Sequence, residues 1–296
     1  MFHPKRPSLF IIGAMKAGTT SLHAYLNAHP SIFMCEPKEP CYFVHPSQLN
    51  WPNMKKLKLW GNEDRYLELF ASAGDATILG ESSTLYAKLP HITDIPERIF
   101  QFNPDARFIY IMRDPIERTL SHYWHEVRQG QESQSLLTAI QNNPLYQDVS
   151  NYPLQLKPFQ EQFGAEKILT LTSEALTLDP QASVRQVFQW LGVDAEFIPP
   201  NLGRKEHVSP KQFYQKGTFF RLRYTWPLSA IADRLPKSIR HQGKKMGVRE
   251  IDRADSHDKR PKVIEYLRPI QQQQTLELQA LLGREFPEWK TLWGSL

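Results

Sequence analysis

The sequence predicts an α/β fold: a single domain over residues 1–296, with a mainly parallel central sheet flanked by helices. Three observations lead there. Four short apolar runs, Ser8–Ile12, Ala76–Gly80, Arg107–Met112 and Lys167–Leu171, are continuous rather than alternating, as in strands covered on both faces. Helical patterns separate them, and strands alternating with helices favour crossover connections and a parallel sheet. The 296 residues are 41% hydrophobic, with no internal repeat and no low-complexity linker, which is enough material for one sizeable core.

The elements follow in chain order. Ser8–Ile12 leads straight into a glycine loop. Thr19–His29 opens with hydroxyl residues and keeps Leu22, Tyr25 and Leu26 at helical spacing. After the strand Arg107–Met112, Pro115 stands near the first turn of a helix whose apolar face is Leu120, Tyr123, Trp124 and Val127. Ala182–Leu191 repeats Val184, Val187, Phe188 and Leu191 and stops at Gly192; Val263–Leu282 is closed by Gly283.

Composition narrows the function classes. No uninterrupted apolar run of about 18 residues suggests a membrane span. Leu9–Met15 is too short for the apolar core of a secretory leader, so a cytoplasmic location is expected. Cys35 and Cys41 have no metal-binding spacing and read as free thiols of a reducing compartment, or as a bridged pair if the compartment is oxidising. The net charge is +5, but residues 204–260 hold 15 Lys/Arg against 6 Asp/Glu. Such a segment implies an anionic ligand, an anionic surface or a solvated face. No zinc, basic-zipper or RNA-recognition pattern accompanies it, and nucleic acid is not expected as a partner. Within it, residues 213–240 interleave Phe219, Phe220, Tyr224 and Trp226 with Arg221 and Arg223. That stretch reads as an acceptor-facing lid or a peripheral membrane contact, or as a packed helical excursion with snorkelling arginines.

Three stretches carry chemistry. The first is GAMKAGTT, Gly13–Thr20. Strand, glycine loop and helix start place backbone N–H groups where phosphate oxygens can meet them. The nucleotide-binding pattern G-x-x-x-x-G-K-[ST] is one residue away: Thr19 stands in the lysine slot, and Lys16 lies inside the loop. The second is RFIYIMRDPIERTLSHYW, in which Arg113 ends a strand and Ser121 follows two turns into a helix. Arg113 there can clamp a phosphate with charge-assisted hydrogen bonds, or simply close an Arg–Asp turn. The third is EPKEPCYF, Glu36–Phe43, where Glu36 or Glu39 can supply a general base from a proline-braced loop, or a solvated loop surface.

Taken together, these stretches resemble the sulfotransferases that use 3′-phosphoadenosine 5′-phosphosulfate (PAPS), closest to the heparan sulfate sulfotransferase-like branch and its bacterial relatives. IIGAMKAGTTSL is similar to the family's 5′-phosphosulfate loop and YIMRDPIERTLSHY to its 3′-phosphate motif. Further similar stretches are Asn27–Pro30, Ser150–Tyr152, Glu174 with Asp179-Pro180, and Leu281–Trp289.

The resemblance implies a P-loop-like sulfotransferase fold and transfer of a sulfuryl group from PAPS to an acceptor hydroxyl, less readily an amine. The acceptor class stays open among carbohydrate, glycolipid and small molecule. Lys16, with Ala17, Gly18, Thr19, Thr20 and Ser21, would hold the 5′-phosphate and its bridging oxygen. Arg113 and Ser121 would read the 3′-phosphate, and Tyr152 belongs to the same donor set. Glu39 would be the base, ahead of His122 and His125. The product is 3′-phosphoadenosine 5′-phosphate (PAP), and no metal is expected. The family's basic loop near the C-terminus is matched best by Gly247 and Arg249, beside Lys244 and Lys245.

One departure matters: Gly80-Glu-Ser-Ser-Thr84 carries Ser82 where heparan-type enzymes often have a lysine. Two other classes compete. A phosphate-loop kinase would need a magnesium-binding acid, for which Asp114 and Glu81 are the candidates. A binding protein of the same fold would bind the donor without turnover.

Overall fold

Strand β1, Leu9–Gly13, is buried along its whole length and forms the middle of the sheet. The computed structural model describes residues 6–49, 52–204, 213–216, 248–251 and 260–294. Around β1 stand β2 (Ile32–Met34), β3 (Ile78–Ser82), β4 (Arg107–Met112) and β5 (Ile168–Thr172), in the order β2-β3-β1-β4-β5. Every pairing is parallel, with Leu9 opposite Gly80 on one side and Arg107 on the other. All of β3 is buried, and Arg107 alone of β4 is partly exposed. Coverage on both faces is why these strands read as unbroken apolar runs.

The chain fills one side of β1 first, through β2 and β3, and then crosses to β4 and β5. The reversal makes the C-terminal ends of β1 and β4 a switch point, where two loops part and leave a crevice. All five strands deliver their following loops to this same edge.

Element positions agree with the sequence reading to within three residues, close to the usual uncertainty of such boundaries. Ser8–Ile12 is realised as Leu9–Gly13, Ala76–Gly80 as Ile78–Ser82 and Lys167–Leu171 as Ile168–Thr172, while Arg107–Met112 is unchanged. The helices are Thr19–Asn27, Pro115–Gln129, Pro180–Leu191 and Arg260–Leu282. Strand β2 is an addition; three residues are too few for a periodic signal. The helix Tyr152–Phe163 is another addition, and its internal Pro158 reads as a breaker in the sequence.

After the helix Arg260–Leu282 the chain folds back onto the sheet. Phe286 and Trp289 are fully buried and stack 4.2 Å apart, and Trp289 leans on Tyr152 at 5.7 Å. The backbone N–H of Leu292 donates to Asp114 Oδ2 at 3.0 Å, and Thr291 Oγ1 donates to Glu117 Oε1 at 2.7 Å. The C-terminal stretch therefore braces the turn that carries Arg113. A second, two-stranded antiparallel sheet pairs β6 (Phe213–Lys216) with β7 (Val248–Ile251) beside the Pro115–Gln129 helix. Gly247 and nearly all of 213–240 lie outside the described residues. Arg249 is in β7, with its backbone opposite Gln215.

Candidate functional site

At the switch point a cavity of about 1480 Å³ opens. Its donor side is built on the ends of β1, β4 and β5. Gly13 ends β1 against Tyr110, whose Cε2 atom would lie 2.5 Å from an added Cβ, so only glycine lets the loop start there. The N–H of Ala14 donates to Ile111 O at 2.6 Å and ties the loop to β4. Gly18, at φ 105°, turns the chain into the Thr19–Asn27 helix as an N-cap with no capping side chain. The first amides of that helix are thus left for a ligand, and the helix dipole favours an anion there.

Lys16, Gly18, Thr19, Thr20 and Ser21 all line the cavity; Ala17 is buried beneath them. Lys16 has a left-handed backbone, φ 72°, a conformation rare for a side-chain-bearing residue and one that clusters at functional sites. Burial first, then the nearby Arg128 and Arg113 charges, pull its ammonium down to about 8. An anion entering here would relieve both penalties.

Arg113 also lines the cavity, and its Nη1 donates to the carbonyl oxygen of Lys16 at 3.4 Å across 97 sequence positions. Ser121 lines the same wall two turns further on. Asp114 accepts from the N–H groups of Ile116 and Glu117 at 3.0 and 3.2 Å and starts the helix. Glu174, after β5, accepts the Asp114 N–H at 2.9 Å, and burial raises its pKa. Tyr152 takes a different place from the rest of the expected donor set. It is buried behind Arg113, donates to the Arg113 carbonyl at 2.5 Å and accepts the Arg113 N–H at 3.2 Å. It holds the arginine's backbone and does not line the cavity.

The opposite wall comes from the ends of β2 and β3. Glu39 sits there in a left-handed backbone, φ 66°, with its N–H donating to Ser82 O at 3.0 Å. Its carboxylate accepts from Thr84 N at 2.8 Å, from Thr84 Oγ1 at 3.2 Å and from Lys38 Nζ at 2.7 Å. Glu36 points away, with 71% of its side chain exposed. Ser82 is buried and hydrogen-bonds His23 Nδ1 at 2.8 Å, away from the cavity.

Of the two histidines, His122 is buried, and desolvation followed by the Arg118 charge holds it neutral well below its usual range. His125 lines the cavity and meets Arg128 Nη2 at 3.1 Å.

Lys38, Thr84, Lys88 and Arg128 also line the cavity and were not singled out as site residues from the sequence. Arg128 had a signal: it follows Ser121 by two helical turns and so shares its face. Lys88 had none, because a lysine in a loop reads as a surface charge.

The acids a kinase would need are already committed. Glu81 is fully buried and accepts from Tyr66, Tyr86 and Ser83 hydroxyls at 2.6, 2.8 and 2.6 Å; burial raises it to about 7. Both Asp114 oxygens cap backbone N–H groups. Neither carboxylate is open to magnesium.

A model of the sulfotransferase family matches residues 7–197. The chain belongs to the sulfotransferase family. The membrane-associated sulfotransferase kil1 of Dictyostelium discoideum is 30% identical over 124 residues, 41% of this chain and 23% of that protein. The bifunctional heparan sulfate N-deacetylase/N-sulfotransferase 2 of Bos taurus is 25% identical over 203 residues, 63% of this chain and 22% of that one. The chain thus spans less than a quarter of the length of either relative. A sulfotransferase from Alicyclobacillus acidocaldarius, known from its crystal structure, has the same fold, with TM-score 0.68 and 24% identity over 97% of this chain and 99% of its own. A heparan sulfate N-sulfotransferase is thus among the proteins the chain is similar to, and PAPS is the family's sulfuryl donor. The uncapped helix start, the partly buried Lys16 and the converging Arg113 and Ser121 suit a donor with two separate phosphates.

Proposed function

We propose that the chain transfers the sulfuryl group of PAPS to an acceptor hydroxyl. The observation that carries this reading is the convergence of Lys16, Arg113 and Ser121 in one cavity, with Glu39 on its facing wall. The amides of Gly18 to Ser21 and the Thr19 and Thr20 hydroxyls bind the 5′-phosphate. Lys16 neutralises the charge that grows on that phosphate as the sulfuryl group leaves, the electrostatic contribution that dominates such transfers. Arg113 and Ser121 bind the 3′-phosphate, which ATP lacks, and Tyr152 fixes the Arg113 backbone. Glu39 accepts the acceptor's proton as general base. Its hydrogen bonds to Thr84 hold the carboxylate in place, and Lys38 must swing aside or share it.

The acceptor side adds Pro37, Met54, Leu57 and Leu85 to these charged groups, which supports an acceptor with both a hydroxyl-bearing polar end and an apolar arm. Cys35 and Cys41 are free and buried, which supports a reducing compartment for the chain. No described helix is long and apolar enough to cross a membrane.

Calorimetry with PAP in metal-free buffer tests the donor assignment, with saturable binding expected. Failure to bind PAP, together with tight binding of magnesium-ATP, would overturn it. Labelled PAPS offered with hydroxyl-bearing acceptors should then yield a sulfated product from wild type and none from Lys16→Ala. Donor binding with no transfer to any hydroxyl or amine would favour a binding protein instead.

A further inference from the structure

Lys88 lies outside the donor clamp, yet it faces the same cavity as Lys16 and Glu39. It follows the short helical turn Thr84–Tyr86 that leaves β3. Only 7% of its surface is exposed. Its carbonyl accepts the N–H groups of His91 and Ile92 at 2.8 and 3.0 Å, but among the described residues its ammonium has no hydrogen-bond or ion-pair partner. The carboxylates that act on it, Glu126 and Glu39, lie beyond ion-pair distance, and burial depresses its pKa below the ordinary lysine value. The side chain is thus nearly buried and its ammonium is open only toward the cavity, where a largely desolvated cation gains most from a ligand oxygen.

The position is also held firmly. The neighbouring Leu89 is clamped by the fully buried Gln155, whose Oε1 accepts the Leu89 N–H at 2.8 Å and whose Nε2 donates to Leu89 O at 2.9 Å. Gln155 lies on the Tyr152–Phe163 helix, three residues after the tyrosine that holds Arg113. One helix therefore fixes both the loop that carries Lys88 and the loop that carries Arg113, and Lys88 is preorganised relative to the donor.

We propose that Lys88 binds the nonbridging oxygens of the sulfuryl group while that group passes from donor to acceptor. The proposal rests on the donor reading above. In the step, the acceptor O–H gives its proton to the Glu39 carboxylate and the acceptor oxygen forms a bond to sulfur. The bond from sulfur to the 5′-phosphate oxygen breaks, and its electron pair stays on that oxygen, beside Lys16. The sulfuryl oxygens carry negative charge throughout. Lys16 serves the phosphate end of their path, and Lys88 serves the end near Glu39.

PAP lacks the sulfuryl group and PAPS carries it, so the ratio of their affinities isolates the contact without any acceptor. The experiment measures binding of each to wild type, Lys88→Met and Lys88→Arg in metal-free buffer. Lys88→Met should weaken PAPS by about tenfold or more, the scale of a hydrogen bond to a charged group, and leave PAP unchanged. Lys88→Arg should restore most of the PAPS affinity. Normal PAP binding also reports that the variant is folded; if Lys88→Met fails to fold, Lys88→Gln carries the same comparison. An unchanged PAPS-to-PAP ratio overturns the proposal, and so does an equal loss of both ligands. A wild-type protein that binds neither ligand fails the donor reading itself, a distinct outcome.

Discussion

The two sides of β1 build their halves of the cavity differently. At the ends of β1, β4 and β5 the donor groups sit on regular structure: a helix start at Gly18, an arginine at a strand end, and a serine two turns into a helix. On the β2–β3 side Glu39 and Lys88 sit in loops and Thr84 in a short helical turn; Thr84 holds the Glu39 carboxylate, and Gln155 holds the loop that carries Lys88. On the proposed reading, the donor side meets a fixed chemical group with helix-start amides and with side chains whose directions regular structure fixes. The acceptor side uses side chains on irregular chain, which vary with little cost to the fold. The two key residues share one trait: Lys16 and Glu39 both have positive φ, the strained backbone expected where function overrides local preference.

Variants should separate the two sides. The largest effect is expected at Glu39→Gln. The amide oxygen can still accept from Thr84, so PAP affinity should persist while sulfuryl transfer drops by about 10²–10⁴, the worth of a general base. A parallel loss of PAP binding would join the two halves and break the comparison. Next comes Lys16→Met, with transfer down by about 10²–10³ and PAP binding weakened as well. Arg113→Ala should weaken PAP by about 10–100-fold, and leave the affinity for adenosine 5′-phosphosulfate, which has no 3′-phosphate, nearly unchanged.

A pH titration sharpens the donor side. Lys16 titrates at about 8 in the free protein, and a bound phosphate raises that value. PAP affinity should be flat below pH 8. Above it, binding must take up a proton, so affinity should fall by up to about tenfold per pH unit until the bound-state value is reached. Proton uptake measured in buffers of differing ionisation enthalpy checks the sign, and Lys16→Met should abolish it. The smallest effect is expected at Tyr152→Phe. The two hydrogen bonds to the Arg113 backbone are lost and the ring packing on Trp289 is kept. PAP affinity should fall only a few-fold, on the order of 1 kcal/mol, and a loss as large as that of Arg113→Ala would place the phenol on the ligand itself.

The difference between the sides also explains what could be read in advance. Arg113 and Ser121 were legible because strand end, proline and helix spacing fix their directions. Asn27 and His29 were noticed in a family-like stretch, and they prove to be clamps: Asn27 Oδ1 accepts Met34 N at 2.9 Å, and His29 joins Asp194 O at 3.1 Å. Ser82 stands where heparan-type enzymes often have a lysine, and it is buried against His23 rather than lining the cavity. Lys88 was invisible because its importance lies in burial, which depends on distant Gln155 and on the walls of the cavity.

The sequence by itself determined the alternation of buried strands and helices, the glycine loop between strand and helix, and the arginine–serine pair, because each rests on local periodicity or on backbone chemistry within one short stretch. The resemblance favoured Glu39 over Glu36; only the tertiary structure decided that Tyr152 stands behind Arg113 and that Lys88 is a nearly buried cation open toward the cavity. Those facts depend on strand order and on which loops meet at one edge of the sheet, and desolvation and pairing act through space rather than along the chain.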